Sequence, residues 1–180
     1  MSEIIKGYRE QYKNTSRKKL VDMYFILLEK IQLCNRNKDI NGLLLNCQLS
    51  LSLIESFIKY SKKEYGFPST TKIPAIEFGL KYYAVLGIKG QLDNIREVVE
   101  YFDELRPWRP EVEKAFEMFN LTKRLTIFLK ENEGFLQKDL KKALNYSDGR
   151  LISNTIHYLE RANRIKRIKA GKTYALHILG

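Results

Sequence analysis

Apolar residues return every three to four positions through most of this chain, the period of helices that bury one face. After Ser16, a side chain suited to capping, Leu20, Tyr24, Leu27, Leu28 and Ile31 make one stripe and predict a helix to about Leu33. Asp39 opens a second stripe through Leu43, Leu44, Cys47, Leu51, Ile54, Phe57 and Ile58, read as one helix fading into SKKEYG. GFPSTTKIP (66–74), with two prolines and a Ser/Thr cluster, is a loop. Pro74 suits the first turn of a third helix that ends at Gly87. Leu92, Ile95, Val98, Val99 and Phe102 mark a fourth, and RPWRP (106–110) then breaks the pattern.

Helical periodicity resumes at Glu111 and runs to about Gly134, as one long helix or two with a bend near Asn120. FLQKDLKKALN reads as a short helix with Leu136, Leu140, Ala143 and Leu144 inward. YSDG is a turn whose Ser147 or Asp148 can cap the next helix, GRLISNTIHYLERAN. Ile152, Thr155, Ile156, Leu159 and Ala162 share its inner face, which leaves Arg150, Leu151, Ser153, Asn154, His157 and Arg161 outward. Asn163 suits the left-handed residue that stops it. The period then changes from helical to two. Ile165 and Ile168 are expected inward and Lys166, Arg167 and Lys169 toward solvent, Ala170-Gly171 turns the chain, and Tyr174, Leu176 and Ile178 alternate along a returning strand.

Charge adds an asymmetry to this pattern. The chain of 180 residues carries a formal +11. Residues 121–180 hold thirteen Lys/Arg against five Asp/Glu, a net of +8, and residues 1–120 hold nineteen against sixteen, a net of +3. One third of the chain therefore carries most of the excess, the footprint of a polyanion-binding module beside a nearly balanced one. An apolar content of 44% is ample for a packed core, and no run of apolar residues approaches a membrane span. The N-terminal MSEIIKGYREQYKNTSRKK lacks a secretory pattern, and Cys34 and Cys47 form no CxxC pair, so a cytoplasmic protein without disulfides, metal or cofactor is expected.

The succession ISNTIHYLERANRIKRIKAGKTY, within the longer run FLQKDLKKALNYSDGRLISNTIHYLERANRIKRIKAGKTYALHI, resembles the winged helix-turn-helix family, in particular its MarR-like branch. It matches that family's recognition helix, the turn that ends it, and a basic hairpin with a glycine turn; Asn163 stands where glycine is commoner. The resemblance covers about residues 121–178 and does not extend to the helices that usually dimerise MarR-like proteins. The two N-terminal helix pairs weakly resemble tetratricopeptide or other α-solenoid repeats, without a clean period. The expected fold class is mainly α, with helical hairpins (bundle or solenoid-like) over 1–106 and a winged helix with a small β-hairpin over 111–180.

The resemblance implies a double-stranded DNA-binding protein, a transcriptional regulator, whose helix 149–163 lies in the major groove and whose hairpin 164–178 meets the backbone or minor groove. Arg150 and Asn154 then suit guanine and adenine edges, with Ser153 and His157 as softer base contacts. Lys138, Lys141, Lys142, Arg161, Lys166, Arg167, Lys169 and Lys172 are the backbone candidates. The N-terminal helices remain for homodimerisation, a ligand or a protein partner, and no membrane is implied. The competing reading is a protein–protein adaptor, because PCI-type proteins also join helical repeats to a winged helix. Catalysis is not expected: His157 and His177 lack a metal-ligand spacing, and no serine sits in a GxSxG turn. GIKG (87–90) matches the GxxG clamp of KH domains, but the helices on both sides favour a helix stop at Gly87 and a loose turn at Gly90.

Overall fold

A computed structural model describes residues 3–66 and 72–179. Among them are nine α-helices and three short strands: α1 (Glu3–Gln11), α2 (Arg17–Asn37), α3 (Ile40–Ser52), α4 (Ile54–Tyr65), α5 (Pro74–Leu86), α6 (Lys89–Tyr101), α7 (Arg109–Glu131), β1 (Phe135–Leu136), α8 (Leu140–Ala143), α9 (Gly149–Arg161), β2 (Ile165–Ala170) and β3 (Thr173–Ile178). The protein is mainly α with a small antiparallel sheet. No helix among the described residues is long and apolar enough to cross a membrane.

The chain divides into two compact units, residues 1–80 with 90–113, and residues 81–89 with 114–180. In the first, Ser16 caps α2 by accepting from the Lys19 backbone N–H, as its sequence position implies. The helix outlasts the predicted Leu33 and stops only where Lys38 turns left-handed, at φ 57°. Asp39 caps α3 through Gly42 N–H at 2.9 Å. The single helix expected from Asp39 through Ile58 is two, α3 and α4. Leu53 stays in the right-handed region at φ −100°, ψ 0°, but its N–H bonds back to the Ser50 carbonyl three residues before, which tightens the turn and separates the two helices. Buried residues continue at helical spacing across that break, so periodicity alone does not show it. Helix α1 is not anticipated by the stripe pattern; Ile5 buries there, and Arg9 grips Glu55 of α4 through two 2.8 Å bonds. Tyr24 and Phe57 stack inside the unit at 4.3 Å.

Pro74 opens α5 as expected, and Gly87 ends it at φ +75°, with Ile88 N–H closing back onto the Tyr83 carbonyl. Most of the loop read at 66–74 lies outside the described residues. Gly90 is in the first turn of α6 rather than in a loose turn. The break expected at RPWRP is present and begins earlier: α6 ends at Tyr101, Phe102 is extended, a 3₁₀ segment, Asp103–Trp108, carries Pro107, and Pro110 falls in the first turn of α7, where its missing N–H costs nothing. α7 is one helix, without a bend that divides it at Asn120. Cys34 and Cys47 are free, and burial pushes the Cys47 thiol up to about 12.

The second unit is organised by the sheet, whose order is β1-β3-β2 with β3 central. Gly134 at φ +75° stops the helical path and donates to the Leu176 carbonyl, and Phe135 and Leu136 pair with Leu176 and Ala175. The helix predicted from Phe135 thus begins instead as a strand, tightens through a 3₁₀ turn at Gln137–Asp139, and yields only four α-helical residues in α8. Leu125, Leu140, Ile156 and Leu176 are wholly buried, with Leu129, Leu159 and Ile165 nearly so.

Candidate nucleic-acid interface

Asp148 sets the start of α9. Its carboxylate accepts from the backbone N–H groups of Arg150 and Leu151, both at 2.9 Å, and so satisfies two donors that a helix start leaves orphaned. Ile152, Thr155, Ile156 and Leu159 are buried as the stripe implies, and Thr155 returns its hydroxyl to the Leu151 carbonyl at 2.8 Å. Leu151, expected outward, is buried too. It stands four positions before Thr155, and at 3.6 residues per turn that places it on the edge of the buried stripe. Arg150, Ser153, Asn154 and His157 are exposed on the opposite face.

The hairpin follows where Asn163 turns left-handed at φ 53°, as expected. Register pairs Ile165 with Ile178 and Ala170 with Thr173, so the turn is Gly171-Lys172, one position later than expected, with Gly171 at φ +60°. Ile165 is buried but Ile168 is 45% exposed. The pleat explains this difference: residues three apart in a strand lie on opposite faces. Tyr174 and Leu176 share a face of β3, and there Tyr174, next to the turn, is exposed while Leu176, paired on both sides, is buried.

The backbone candidates separate into two groups. Lys138, Lys141, Lys142, Lys166, Lys169 and Lys172 are exposed, and among the described residues none forms an ion pair. Arg161 and Arg167 are engaged within the unit. Arg161 Nε donates to the Tyr82 hydroxyl at 2.8 Å, and Tyr82 meets Tyr158 edge-on at 5.3 Å. Arg167 binds Glu160 through Nε at 2.8 Å and through a second, shorter contact from Nη2, with its guanidinium 5.3 Å from the centre of the Tyr174 ring. The Arg167 hydrogen bond holds the Glu160 carboxyl below its usual range, and the same bond raises Arg167. His157 is pushed below its ordinary 6.5, first by desolvation and then by the Arg161 and Arg167 charges, all of which favour the neutral ring.

Helix and hairpin meet at a cleft of about 400 Å³ lined by Lys138, Lys141, Ser153, Arg167, Lys172 and Tyr174. Five of these six are candidates on sequence grounds; Tyr174, whose ring carries Arg167, is not, and neither is Glu160, which neutralises that arginine. Thr173 also escapes sequence reasoning; its hydroxyl accepts the Lys138 backbone N–H at 3.3 Å and ties the 3₁₀ turn before α8 to the hairpin. Alternation places Tyr174 on the strand, but no spacing rule links Glu160 to Arg167 across the turn at Asn163.

A scan against protein-family models found no match, and searches of curated proteins and of solved structures returned none.

Proposed function

We propose that the C-terminal unit is a winged helix that binds double-stranded DNA, with α9 reading the major groove and the β2–β3 hairpin on the backbone or in the minor groove, and that the protein is a transcriptional regulator. The observation that carries this reading is the set of exposed cations without a carboxylate partner: Arg150 on α9, Lys138, Lys141 and Lys142 on the approach to it, and Lys166, Lys169 and Lys172 on the hairpin. Unpaired cations release condensed counterions when they meet phosphates, and this is the main source of sequence-independent affinity. The succession α7, α8, α9 and then the β2–β3 hairpin supports the same reading, because helices followed by a two-stranded hairpin is the order the resemblance implies; the short strand β1 is additional to it. Arg150 and Asn154 supply the planar donor fork and the amide that read guanine and adenine edges.

Fluorescence anisotropy with a mixed-sequence duplex over a salt series tests it. Wild-type protein is expected to bind with a Kd of roughly 10⁻⁴–10⁻⁶ M at physiological salt. Replacing Lys166, Lys169 and Lys172 with Ala flattens the slope of log K against log salt by ~0.9 for each phosphate that is no longer neutralised. No binding at low salt would overturn the proposal and turn attention to the unit as a protein-binding module. In a selected operator, Arg150→Ala with Asn154→Ala should erase sequence discrimination; an equal loss on every duplex would refute base readout by α9.

A further inference from the structure

The first unit holds a groove of about 600 Å³ between α2 and α4. Its volume falls in the range of small-molecule sites, ~300–1,000 Å³. All its lining residues belong to this unit. One wall is aromatic. Phe25 of α2, 42% exposed, and Tyr60 of α4 stand at 84° with their centroids 6.1 Å apart. The buried Phe57, itself stacked on Tyr24, meets Phe25 at 85° and holds that ring in place. Two perpendicular rings make a corner that suits a cation. A positive charge placed equally against both at this spacing lies about 4.3 Å from each centroid, inside the ~6 Å reach of a cation–π contact. The chain makes one such contact itself, Lys123 over the Phe119 ring at 4.3 Å.

The charges around the corner show what else the occupant carries. Asp22 stands one turn before Phe25, and Glu64 one turn after Tyr60, so a carboxylate flanks each ring. The Tyr60 hydroxyl is raised above its usual range by desolvation, by Tyr65, and then by these two carboxylates, so their field is felt at the ring. Arg17 and Lys18 in the first turn of α2, and Lys63 one turn past Tyr60, line the same groove. Among the described residues none of these five charged side chains forms an ion pair. Opposite charges that share a groove without pairing leave both signs to be answered from outside. A lone cation would satisfy the carboxylates and oppose the three cations; a lone anion would do the reverse. A primary ammonium is also a poor fit for the corner, because it is compact and strongly hydrated, whereas the methyl shell of a quaternary ammonium packs on ring faces.

We propose that this groove binds a zwitterion in which a quaternary ammonium is joined to an anionic group, the chemistry of phosphocholine. The trimethylammonium sits in the corner of Phe25 and Tyr60 beside Asp22 and Glu64, and the phosphate meets Arg17, Lys18 and Lys63. The same chemistry is offered by a free solute and by a lipid headgroup. The proposal is independent of the DNA-binding reading, because no residue of the second unit takes part in it.

Isothermal titration of the full chain with phosphocholine, choline, inorganic phosphate and 3,3-dimethylbutyl phosphate tests this; the last compound keeps the shape of phosphocholine and replaces its nitrogen by carbon. Phosphocholine should bind with a Kd of roughly 10⁻⁴–10⁻³ M, the range open to so small a ligand. It should bind about tenfold more tightly than the carbon isostere, the ratio that a partly desolvated cation–π contact confers. Choline and phosphate alone should each bind more weakly than phosphocholine. Phe25→Leu keeps an apolar wall and should bring phosphocholine down to the affinity of the isostere. Asp22→Asn with Glu64→Gln should weaken phosphocholine relative to the isostere, and Lys18→Gln with Lys63→Gln should weaken both phosphates but not choline. All five positions are exposed, so these variants spare the core, and circular dichroism verifies their folding. Cosedimentation with phosphatidylcholine vesicles that free phosphocholine competes away would assign the lipid headgroup as the source; phosphocholine binding without cosedimentation would assign the free solute. The proposal is overturned by absence of phosphocholine binding at millimolar concentration, by equal affinity for phosphocholine and its isostere, or by Phe25→Leu that binds like wild type.

Discussion

Glu160→Gln should strengthen DNA binding. In the protein Arg167 is not a free phosphate ligand: both Nε and Nη2 rest on one carboxylate oxygen of Glu160, with the guanidinium against the Tyr174 ring. The pair contributes no net charge to the cleft that also contains Lys138, Lys141 and Lys172. Neutralising Glu160 removes the competitor and leaves Arg167 at the same place, with its fork turned free. One added phosphate contact steepens the salt slope by ~0.9, so a fourfold rise in salt should weaken the variant about 3.5-fold more than wild type. The fold should tolerate the change. The side chains of Arg167 and Glu160 are 26% and 34% exposed, and a pair so screened is worth only ~0.3–1 kcal/mol.

The assay is anisotropy on one duplex between about 50 and 200 mM salt, a range over which each phosphate contact is readily resolved. Lys172→Ala serves as the opposite control and should flatten the slope by ~0.9. Glu160→Gln combined with Arg167→Gln carries the wild-type net charge and should return to the wild-type slope. A Glu160→Gln slope equal to wild type, with Lys172→Ala behaving as expected, would show that Arg167 stands out of reach of the backbone. A double variant as steep as the single one would show that removal of a repelling carboxylate, not release of Arg167, had acted.

Other perturbations test the frame around this site. Asp148→Ala should cost about 1 kcal/mol, because two backbone N–H groups lose their acceptor, and Asp148→Asn should recover most of it; urea unfolding reads both. Gly171→Ala should destabilise by ~1 kcal/mol although nothing lies within 4 Å of the added carbon, since the cost comes from φ +60°. Gly90→Ala, equally open but helical, should stabilise by ~0.4–1 kcal/mol. His157, held below 6.5, makes the unfolded chain take up a proton first as the pH falls. Its contribution to stability is therefore lost as pH drops below 6.5 toward the folded value, and His157→Gln should flatten that part of a stability–pH curve; an unchanged curve would show that the desolvation of the ring is too slight to matter.

Side chains that act on their own neighbours along the chain are legible in the amino-acid order alone. Ser16, Asp39 and Asp148 cap the helices they precede, Pro74 and Gly87 bound α5, and Asn163 turns left-handed at φ 53°. Each of these acts through backbone groups within about four residues, the range over which sequence order and spatial order coincide. The failures lie where that coincidence ends. Leu53 breaks a helix whose buried residues keep their spacing on both sides, so the stripe conceals the break. Phe135 and Leu136 become a strand because Leu176 and Ala175 pair with them from some forty residues away. A two-residue strand has too few positions to show a period of its own.

The same distinction divides the candidate site. Exposure of Arg150, Ser153, Asn154 and His157 follows from one helix stripe and is readable from spacing. The availability of a cation does not follow from its own position, because a partner decides it. Arg167 and Lys169 sit on one strand with the same charge and the same parity; one is tied to Glu160 and the other is exposed without an ion pair. Parity puts both on one face, but only Arg167 lies beside the last turn of α9, where Glu160 points back at it. Counting cations in the basic stretch therefore overstates the number free for phosphate, and the measured salt slope should fall short of that count by the two arginines already bound within the unit, Arg161 and Arg167. A slope that accounts for all eight backbone candidates would mean that DNA pulls both arginines from Tyr82 and Glu160, and then Glu160→Gln would lose its advantage.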